Sequence, residues 1–129
     1  MTYTLSEQQF HTVMNLPANE RYQHFVKKVT QWGEIWSLAD ADGWVSLRAD
    51  DEECFPVWPH PEYAAAWATG DWAGCKPKAI GLEVWLERWI KGLESDGSMV
   101  AVFPNEDEEG IVVAPAEIGE SLLEELESE

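Results

Sequence analysis

Two segments near the start of the chain carry apolar residues at helical spacing. In the first, Phe10, Val13 and Met14 follow Ser6, whose hydroxyl can cap a helix while the Gln9 side chain returns to the Ser6 backbone. In the second, apolar residues recur at i, i+3, i+4 and i+7: Tyr22, Phe25, Val26 and Val29. The spacing predicts an N-terminal pair of helices.

The next segments have the length and composition of strands. Residues 35–38 and 44–47 flank Asp42-Gly43, a dipeptide typical of a hairpin turn, and residues 54–58 follow an acidic turn. Proline has no N–H for a strand ladder, so Pro56 predicts that the third strand lies at a sheet edge or carries a bulge. We expect these strands to form a meander.

The longest apolar stripe lies in the second half of the chain. Its members follow helical spacing: Leu82, Trp85, Leu86, Trp89, Ile90 and Leu93. We expect this helix to be buried against the sheet. Before it, the sequence predicts a short helix from Pro61 to Trp67 and then an irregular connection marked by Gly70, Gly74 and Pro77.

Two further strands and a helix are predicted at the carboxyl end. Residues 99–103 and 111–113 flank a second acidic turn, and Pro115 opens a terminal helix. Four apolar residues of this helix are expected to face the core: Ile118, Leu122, Leu123 and Leu126. The predicted fold is therefore α+β, with an antiparallel sheet of about five strands, a meander plus a C-terminal hairpin, packed against the helices.

Length and composition favour one folded domain. The chain has 129 residues, of which 45% are hydrophobic, so residues 1–129 fit a single core. No basic, apolar leader begins the sequence and no apolar run approaches about 18 residues, so we expect a cytoplasmic protein. Cys54 and Cys75 lack the spacing of a redox or zinc site and are interpreted as reduced thiols, with a disulfide between them left open.

The charge is strongly negative and unevenly distributed. Lys and Arg number 8 against 25 Asp and Glu, a net charge of −17, and residues 92–129 contain no Lys or Arg. Phosphate-rich partners need clustered bases, so we expect neither nucleic acid nor an anionic membrane surface as a partner. Two acidic turns form the candidate surface for a basic protein: Asp50, Asp51, Glu52 and Glu53, and Glu106, Asp107, Glu108 and Glu109.

Residues with catalytic or metal-binding potential do not form a motif. His11, His24 and His60 are too dispersed to suggest a metal site. Cys54 follows Glu53, whose negative charge would raise a thiol pKa instead of activating the thiol. The sequence predicts no cofactor and favours binding over catalysis.

The eight tryptophans allow two interpretations, core packing or an aromatic contact surface. Four lie on predicted strands or on the long helical stripe and are assigned to the core: Trp36, Trp44, Trp85 and Trp89. Others lie near Pro- and Gly-rich connections, where a groove can form. The candidate pocket comprises Trp58, His60, Trp67 and Trp72.

Several short strings, in a fixed order, resemble the bacterial domain-of-unknown-function family 2750. They are Ile35-Trp36-Ser37-Leu38, Asp42-Gly43-Trp44, Pro56-Val57-Trp58-Pro59, Tyr63-Ala64, Trp72, the 82–93 helix and Val100-Ala101-Val102-Phe103-Pro104. The resemblance extends from Gln8 to Leu126. It implies a compact α+β domain in bacteria and supplies no activity, cofactor or catalytic residue.

Two functional hypotheses follow from these features. The first is a protein-binding module, immunity-like or regulatory, whose acidic face engages a basic partner. Immunity proteins of bacterial toxin systems are similar in general layout and acidity, and this similarity does not by itself establish a function. The alternative is a small enzyme or ligand-binding protein with a pocket near Trp58, His60 and Trp67. The oligomeric state is left open.

Overall fold

The computed structural model describes residues 6–40, 43–49, 52–68, 74–104 and 111–128. The helices are α1 (Glu7–Met14), α2 (Ala18–Trp32), α3 (Pro61–Trp67), α4 in three consecutive segments (Leu82–Val84, Trp85–Trp89 and Ile90–Asp96) and α5 (Pro115–Ser128). The strands are β1 (Glu34–Asp40), β2 (Gly43–Trp44), β3 (Leu47–Ala49), β4 (Glu52–Val57), β5 (Lys76–Gly81), β6 (Met99–Val102) and β7 (Ile111–Val113).

The predicted N-terminal helix pair is present, and its boundaries follow local chemistry. Ser6 Oγ accepts a hydrogen bond from the Gln9 backbone N–H at 3.2 Å, and the Gln9 side chain accepts one from the Ser6 N–H at 3.1 Å. Helix α2 ends at Gly33, whose φ of 71° is the left-handed conformation that glycine adopts without a Cβ clash.

The prediction of one antiparallel five-stranded sheet is wrong. The strands form two sheets, with orders β2-β1-β5 and β3-β4-β6-β7. The difference arises at residues 76–81, predicted as an irregular connection, which pair antiparallel with β1 from Ala39↔Lys76 to Glu34↔Gly81. Their polar side chains also find partners, since Lys78 Nζ lies 4.9 Å from the Trp44 ring centre.

The two sheets are joined by an antiparallel bridge between Trp36 and Trp58. Each backbone N–H donates to the carbonyl of the other residue, at 2.9 and 2.7 Å. Next to the bridge, the Ser37 hydroxyl donates to the Pro56 carbonyl at 2.6 Å. Strand β4 lies between β3 and β6 in its sheet. The pairing with β3 ends at Cys54, so Pro56 has no partner residue in β3. The expectation of an edge therefore applies to this end of β4 only.

Strands β4 and β6 are parallel, which the hairpin interpretation did not predict. The chain between them passes through α3, β5 and α4 and returns in the same direction. At the end of β6, Phe103 has a φ of 52°, an unfavourable conformation for a residue with a Cβ. Its N–H donates to Val57 at 2.8 Å, and its carbonyl accepts from Arg21 Nε at 3.1 Å. Buried Arg21 also donates to the Leu16 carbonyl, so it ties α2 to the α1–α2 connection and to the end of β6.

Helix α4 covers the sheets with aromatic rings, as predicted. Trp85 is fully buried, and Trp89 is half-buried with its ring 6.0 Å from that of Trp85. The segment Trp85–Trp89 is π-helical, so the Ile90 N–H donates to the Trp85 carbonyl five residues back. Phe55 of β4 packs against both rings, with its ring centre 6.1 Å from that of Trp85 and 5.0 Å from that of Trp89.

Helix α5 packs on the core through one face. Ile118 and Leu122 are fully buried, as predicted. The prediction that Leu123 and Leu126 face the core is wrong, since 51% and 37% of their surfaces are exposed. Leu123 points about 100° away from the buried Leu122, towards solvent, and Leu126 lies in the last turn of the helix. No helix in the described part of the chain is long and apolar enough to cross a membrane.

Candidate functional site

Three of the four candidate pocket residues lie inside the protein. Trp58 is fully buried, and its indole N–H donates to the Pro104 carbonyl at 2.9 Å. Its ring centre is 5.6 Å from that of Trp67, which is also buried. The buried His60 caps α3 by accepting the Glu62 N–H at its Nδ1 atom, at 3.1 Å. Trp72 lies outside the described residues, and a pocket at this place stays a prediction.

The candidate acidic turns are described only in small part. Glu53 is exposed on β4, and Glu52 belongs to the same strand. The remaining six candidates lie outside the residues that the structure describes: Asp50, Asp51, Glu106, Asp107, Glu108 and Glu109. The sequence hypothesis about these turns therefore stays a prediction.

A different acidic surface is visible on α5, and two of its residues, Leu123 and Leu126, are those predicted to face the core. We define the α5 surface as five exposed residues: Glu120, Leu123, Glu124, Leu126 and Glu127. Four of them follow the spacing i, i+3, i+4 and i+7, so Leu123 lies within a stripe of carboxylates. The helix is anchored on other faces, where the Ser121 hydroxyl lies 2.9 Å from the Tyr22 hydroxyl.

Both cysteines lie in the described part of the chain. Cys54 is buried in β4, and neither Cys54 nor Cys75 is in a disulfide. Burial, together with the charge of Asp40, raises the pKa of the Cys75 thiol, so this thiol is a poor nucleophile at neutral pH. Among the residues that the structure describes, no group of three His, Cys, Asp or Glu side chains is placed to hold a metal ion.

A cavity of about 250 Å³ lies where α1, α2 and α3 meet. Its lining comes from all three helices: Gln8, Gln9, Thr12 and Val13 from α1, His24 and Lys28 from α2, and Tyr63 from α3. The Tyr63 ring stacks on Phe10 with centres 5.1 Å apart, which fixes α1 against α3 beside the cavity.

His24 is a titratable group of this cavity with a strongly shifted pKa. Burial, and after it the positive charges of Lys28 and Lys27, lowers its pKa from 6.5 to about 4. The imidazole is therefore neutral at pH 7. Its Nε2 atom is buried and has no hydrogen-bond partner among the described residues. The Phe103 ring lies next to the imidazole, with the two ring centres 6.3 Å apart.

Sequence reasoning missed this cavity because its residues carry no joint signal. His24 and Lys28 are four positions apart on α2, and Gln8 and Thr12 are four positions apart on α1, which places each pair on one helix face. Such spacing is common on solvated helices. Only the packing angle between the helices brings the two pairs and Tyr63 around one space.

Comparison with known proteins gives one family. A family model described as "Protein of unknown function (DUF2750)" matches residues 22–122. The matched segment starts after α1 and ends within α5. Searches of the curated proteins and of the solved structures found no significant match.

Proposed function

Since this chain belongs to the family of proteins of unknown function DUF2750, whose description assigns no activity, we propose a function from its own surface: a protein-binding module, immunity-like or regulatory, for a basic partner. The observation that carries the proposal is the α5 surface, where two exposed leucines lie among carboxylates. The whole segment 92–129 contains no Lys or Arg.

The exposed leucines favour a contact surface over a merely solvated one. A helix selected only for solubility can carry polar side chains at both positions, and Leu123 is 51% exposed. Covering two half-exposed leucines contributes about 1 kcal/mol each to binding by burial of apolar area. The complementary partner therefore presents apolar side chains to Leu123 and Leu126.

The carboxylates determine the charge of that partner. Glu124 and Glu127 lie in the second half of α5, one turn or more after Glu120, and the carboxyl end of a helix already carries a partial negative charge. These side chains therefore repel one another and the helix end. Lys or Arg side chains of a partner relieve that repulsion, which favours a segment that is both basic and amphipathic.

A defined peptide tests the proposal even though the natural partner is unidentified. The probe is a synthetic amphipathic helix of Lys and Leu, compared with a peptide of equal charge in which Ser replaces Leu. We expect the Lys/Leu peptide to bind more tightly and to shift the amide NMR signals of residues 120–127. Its association rate should fall steeply with salt, since a Debye length shrinks from about 30 Å at 0.01 M to about 10 Å at 0.1 M.

Charge-matched variants separate this surface from the general acidity of the protein. Changing Glu120→Gln, Glu124→Gln and Glu127→Gln should slow association at low salt about tenfold. The control makes the same charge change on α4, where three exposed glutamates are available: Glu83→Gln, Glu87→Gln and Glu94→Gln. Equal slowing by both triple variants would assign the attraction to net charge alone and reject the α5 surface.

The leucines have a matched control of their own. The change Leu123→Ser with Leu126→Ser should speed dissociation of the Lys/Leu peptide and leave its association rate within about twofold. Val84→Ser removes a similarly exposed apolar side chain from α4. Unchanged dissociation in the leucine variant, or an equal effect of Val84→Ser, would contradict the proposal.

A further inference from the structure

We propose that the cavity between α1, α2 and α3 is a binding site for a small organic carboxylate, with Lys28 opposite the carboxylate and His24 hydrogen-bonded to it. This site is separate from the α5 surface and takes a different class of ligand. It rests on the charge of the lining, a buried nitrogen of His24, and the size and chemistry of the walls.

The lining has an unusual charge for this protein. The chain carries 25 Asp and Glu residues, yet the cavity is lined by Lys28 and by no acidic side chain among the residues described. The positive charge of Lys28 is felt inside the site, because it contributes to the low pKa of His24. An anion is therefore favoured in this cavity, whereas the α5 surface repels anions.

The Nε2 atom of His24 supplies a hydrogen-bonding group that the protein itself leaves without a partner among the residues described. A buried polar atom without a partner destabilises the protein, and a bound ligand that supplies the partner recovers that free energy. An anion close to His24 also favours the imidazolium over the imidazole, so Nε2 can donate to a carboxylate oxygen. Gln8 and Thr12 bring further polar groups from the opposite helix.

The walls and the volume define the rest of the ligand. Val13 is a buried apolar side chain, and Tyr63 presents an aromatic ring fixed by Phe10 and by Phe103, whose centre is 4.7 Å away. A volume of about 250 Å³ lies just below the range of roughly 300–1,000 Å³ that is usual for ligand pockets, which suits a small ligand. Apolar walls favour a carboxylate on an aromatic or branched apolar body of one-ring size over inorganic phosphate.

The ligand would also join α1 to the rest of the protein. Val13 is the buried residue of α1, and this helix supplies four of the cavity residues. A molecule that touches both Thr12 and His24 therefore holds α1 against α2. Bound ligand is expected to slow hydrogen exchange of the α1 amides.

Three probes of nearly equal shape test the charge preference: benzoate, benzamide and benzamidine. Each is titrated into the full chain and followed by amide NMR shifts of residues 8–13, 24–28 and 63. We expect saturable binding of benzoate with a Kd of about 1 mM or tighter, about tenfold tighter than that of benzamide. Benzamidine is expected to bind elsewhere, on the acidic surface, without shifting the cavity signals.

Two neighbouring lysines provide a matched pair of variants. Lys28→Met removes the charge from the lining and keeps the aliphatic stem, whereas Lys27→Met makes the same change at an exposed position outside the lining. Lys28→Met should weaken benzoate about tenfold and benzamide by less than about twofold. Lys27→Met should weaken benzoate by less than about threefold, since its charge is screened by solvent.

The role of His24 has a separate test. His24→Phe keeps a planar ring and removes Nε2, so it should weaken both benzoate and benzamide. The amide NMR spectrum and the melting temperature of His24→Phe without ligand show whether this variant is folded. If it is unfolded, the Lys28→Met result decides the proposal. Equal affinities of benzoate and benzamide, or no saturable cavity shifts up to about 10 mM benzoate, would overturn the proposal.

Discussion

At the scale of single residues, two buried tryptophans differ in one hydrogen bond. Trp58 and Trp85 are both fully buried, but the indole N–H of Trp58 donates to the Pro104 carbonyl, whereas that of Trp85 has no acceptor among the described residues. The Trp58 bond also connects the Val57-Trp58-Pro59 and Val102-Phe103-Pro104 strings, which lie at the ends of the parallel strands. The two strings therefore hold the ends of β4 and β6 together.

Replacing each of these indoles by phenyl isolates the contribution of that hydrogen bond. Trp58→Phe leaves the Pro104 carbonyl without its donor, whereas Trp85→Phe removes an N–H that is already without a partner among the described residues. We expect Trp58→Phe to lower the free energy of unfolding by about 1–3 kcal/mol more than Trp85→Phe. Urea denaturation of both variants measures the difference. Equal losses would mean that the Trp58 hydrogen bond contributes no net stability.

His24 makes stability depend on pH between its unfolded and folded pKa values. The folded pKa is about 4 and the ordinary pKa of histidine is 6.5, so the unfolded chain binds the additional proton in this interval. The stabilisation from the neutral imidazole is complete above pH 6.5 and is lost as the pH falls towards 4. Because His24 is partly exposed and solvent screens its charges, we expect a loss of about 1–2 kcal/mol.

The measurement compares the wild-type protein with His24→Gln at pH 7 and at pH 4.5. Both proteins titrate the same carboxylates, so the difference between their unfolding free energies isolates His24. His11→Gln makes the same substitution at an exposed histidine on α1 and serves as the matched control. Parallel pH profiles for the wild type and His24→Gln would show that His24 does not contribute.

At the scale of elements, two helical glycines have opposite surroundings. A Cβ at Gly92 in α4 would meet no atom within 4 Å, whereas one at Gly119 in α5 would lie 2.7 Å from the Cδ1 atom of Ile90. Gly92→Ala should therefore stabilise the protein by about 0.5–1 kcal/mol through helix propensity. Gly119→Ala gains the same propensity but must displace the Ile90 methyl group where α4 and α5 pack.

Thermal unfolding of the two alanine variants tests this contact. Gly92→Ala should raise the melting temperature by about 2–6 °C for a chain of this size. Gly119→Ala should give a smaller rise or a decrease. A rise as large as that of Gly92→Ala would show that Ile90 adjusts freely and that α4 and α5 do not approach closely.

The elements that sequence patterns predict well are those whose burial is periodic. Helices α2 and α4 carry continuous apolar stripes, and the short α3 begins with proline, so the pattern places each within a few residues. Strand β5 escapes prediction because Lys76 and Lys78 are polar and Gly74 and Pro77 are typical of irregular connections. Its strand conformation depends on pairing with β1. Non-local pairing leaves no local pattern to read.

The same limit applies to the candidate sites. Sequence reasoning selects Trp58 and His60 by their place between prolines, but their side chains are used inside the protein, in an indole hydrogen bond and a helix cap. Leu123 is misplaced because a run of apolar residues at the end of α5 does not show which one faces outward. The cavity beside His24 depends on the mutual position of three helices, which composition cannot fix.

At the scale of the whole molecule, a net charge of −17 opposes folding through self-repulsion. Raising the salt concentration from about 0.01 M to about 0.5 M screens the repulsion and should increase the free energy of unfolding. The variant Glu106→Gln, Asp107→Asn, Glu108→Gln and Glu109→Gln should be as stable as the wild type or slightly more stable at low salt. Its stability should rise less with salt. The same variant should associate more slowly with the Lys/Leu peptide if the acidic turn belongs to the binding surface.

Urea denaturation at both salt concentrations and the peptide association rate give two independent readings. A variant with an unchanged association rate would remove residues 106–109 from the binding surface. A variant with the wild-type dependence of stability on salt would show that this turn does not contribute to the repulsion. Each result stands without the other, because one concerns the partner and the other the isolated chain.

The parallel pairing of β4 with β6 also determines how this chain can fold while it is being synthesised. Residue 57 ends β4 and residue 102 ends β6, so at about 5–20 residues per second β4 waits roughly 2–9 s for its partner to leave the ribosome. During that interval the edge of a strand that contains Phe55 and Val57 is open to other chains. A nascent chain stalled before β6 should therefore bind chaperones and aggregate, whereas one released beyond residue 113 has every strand of both sheets.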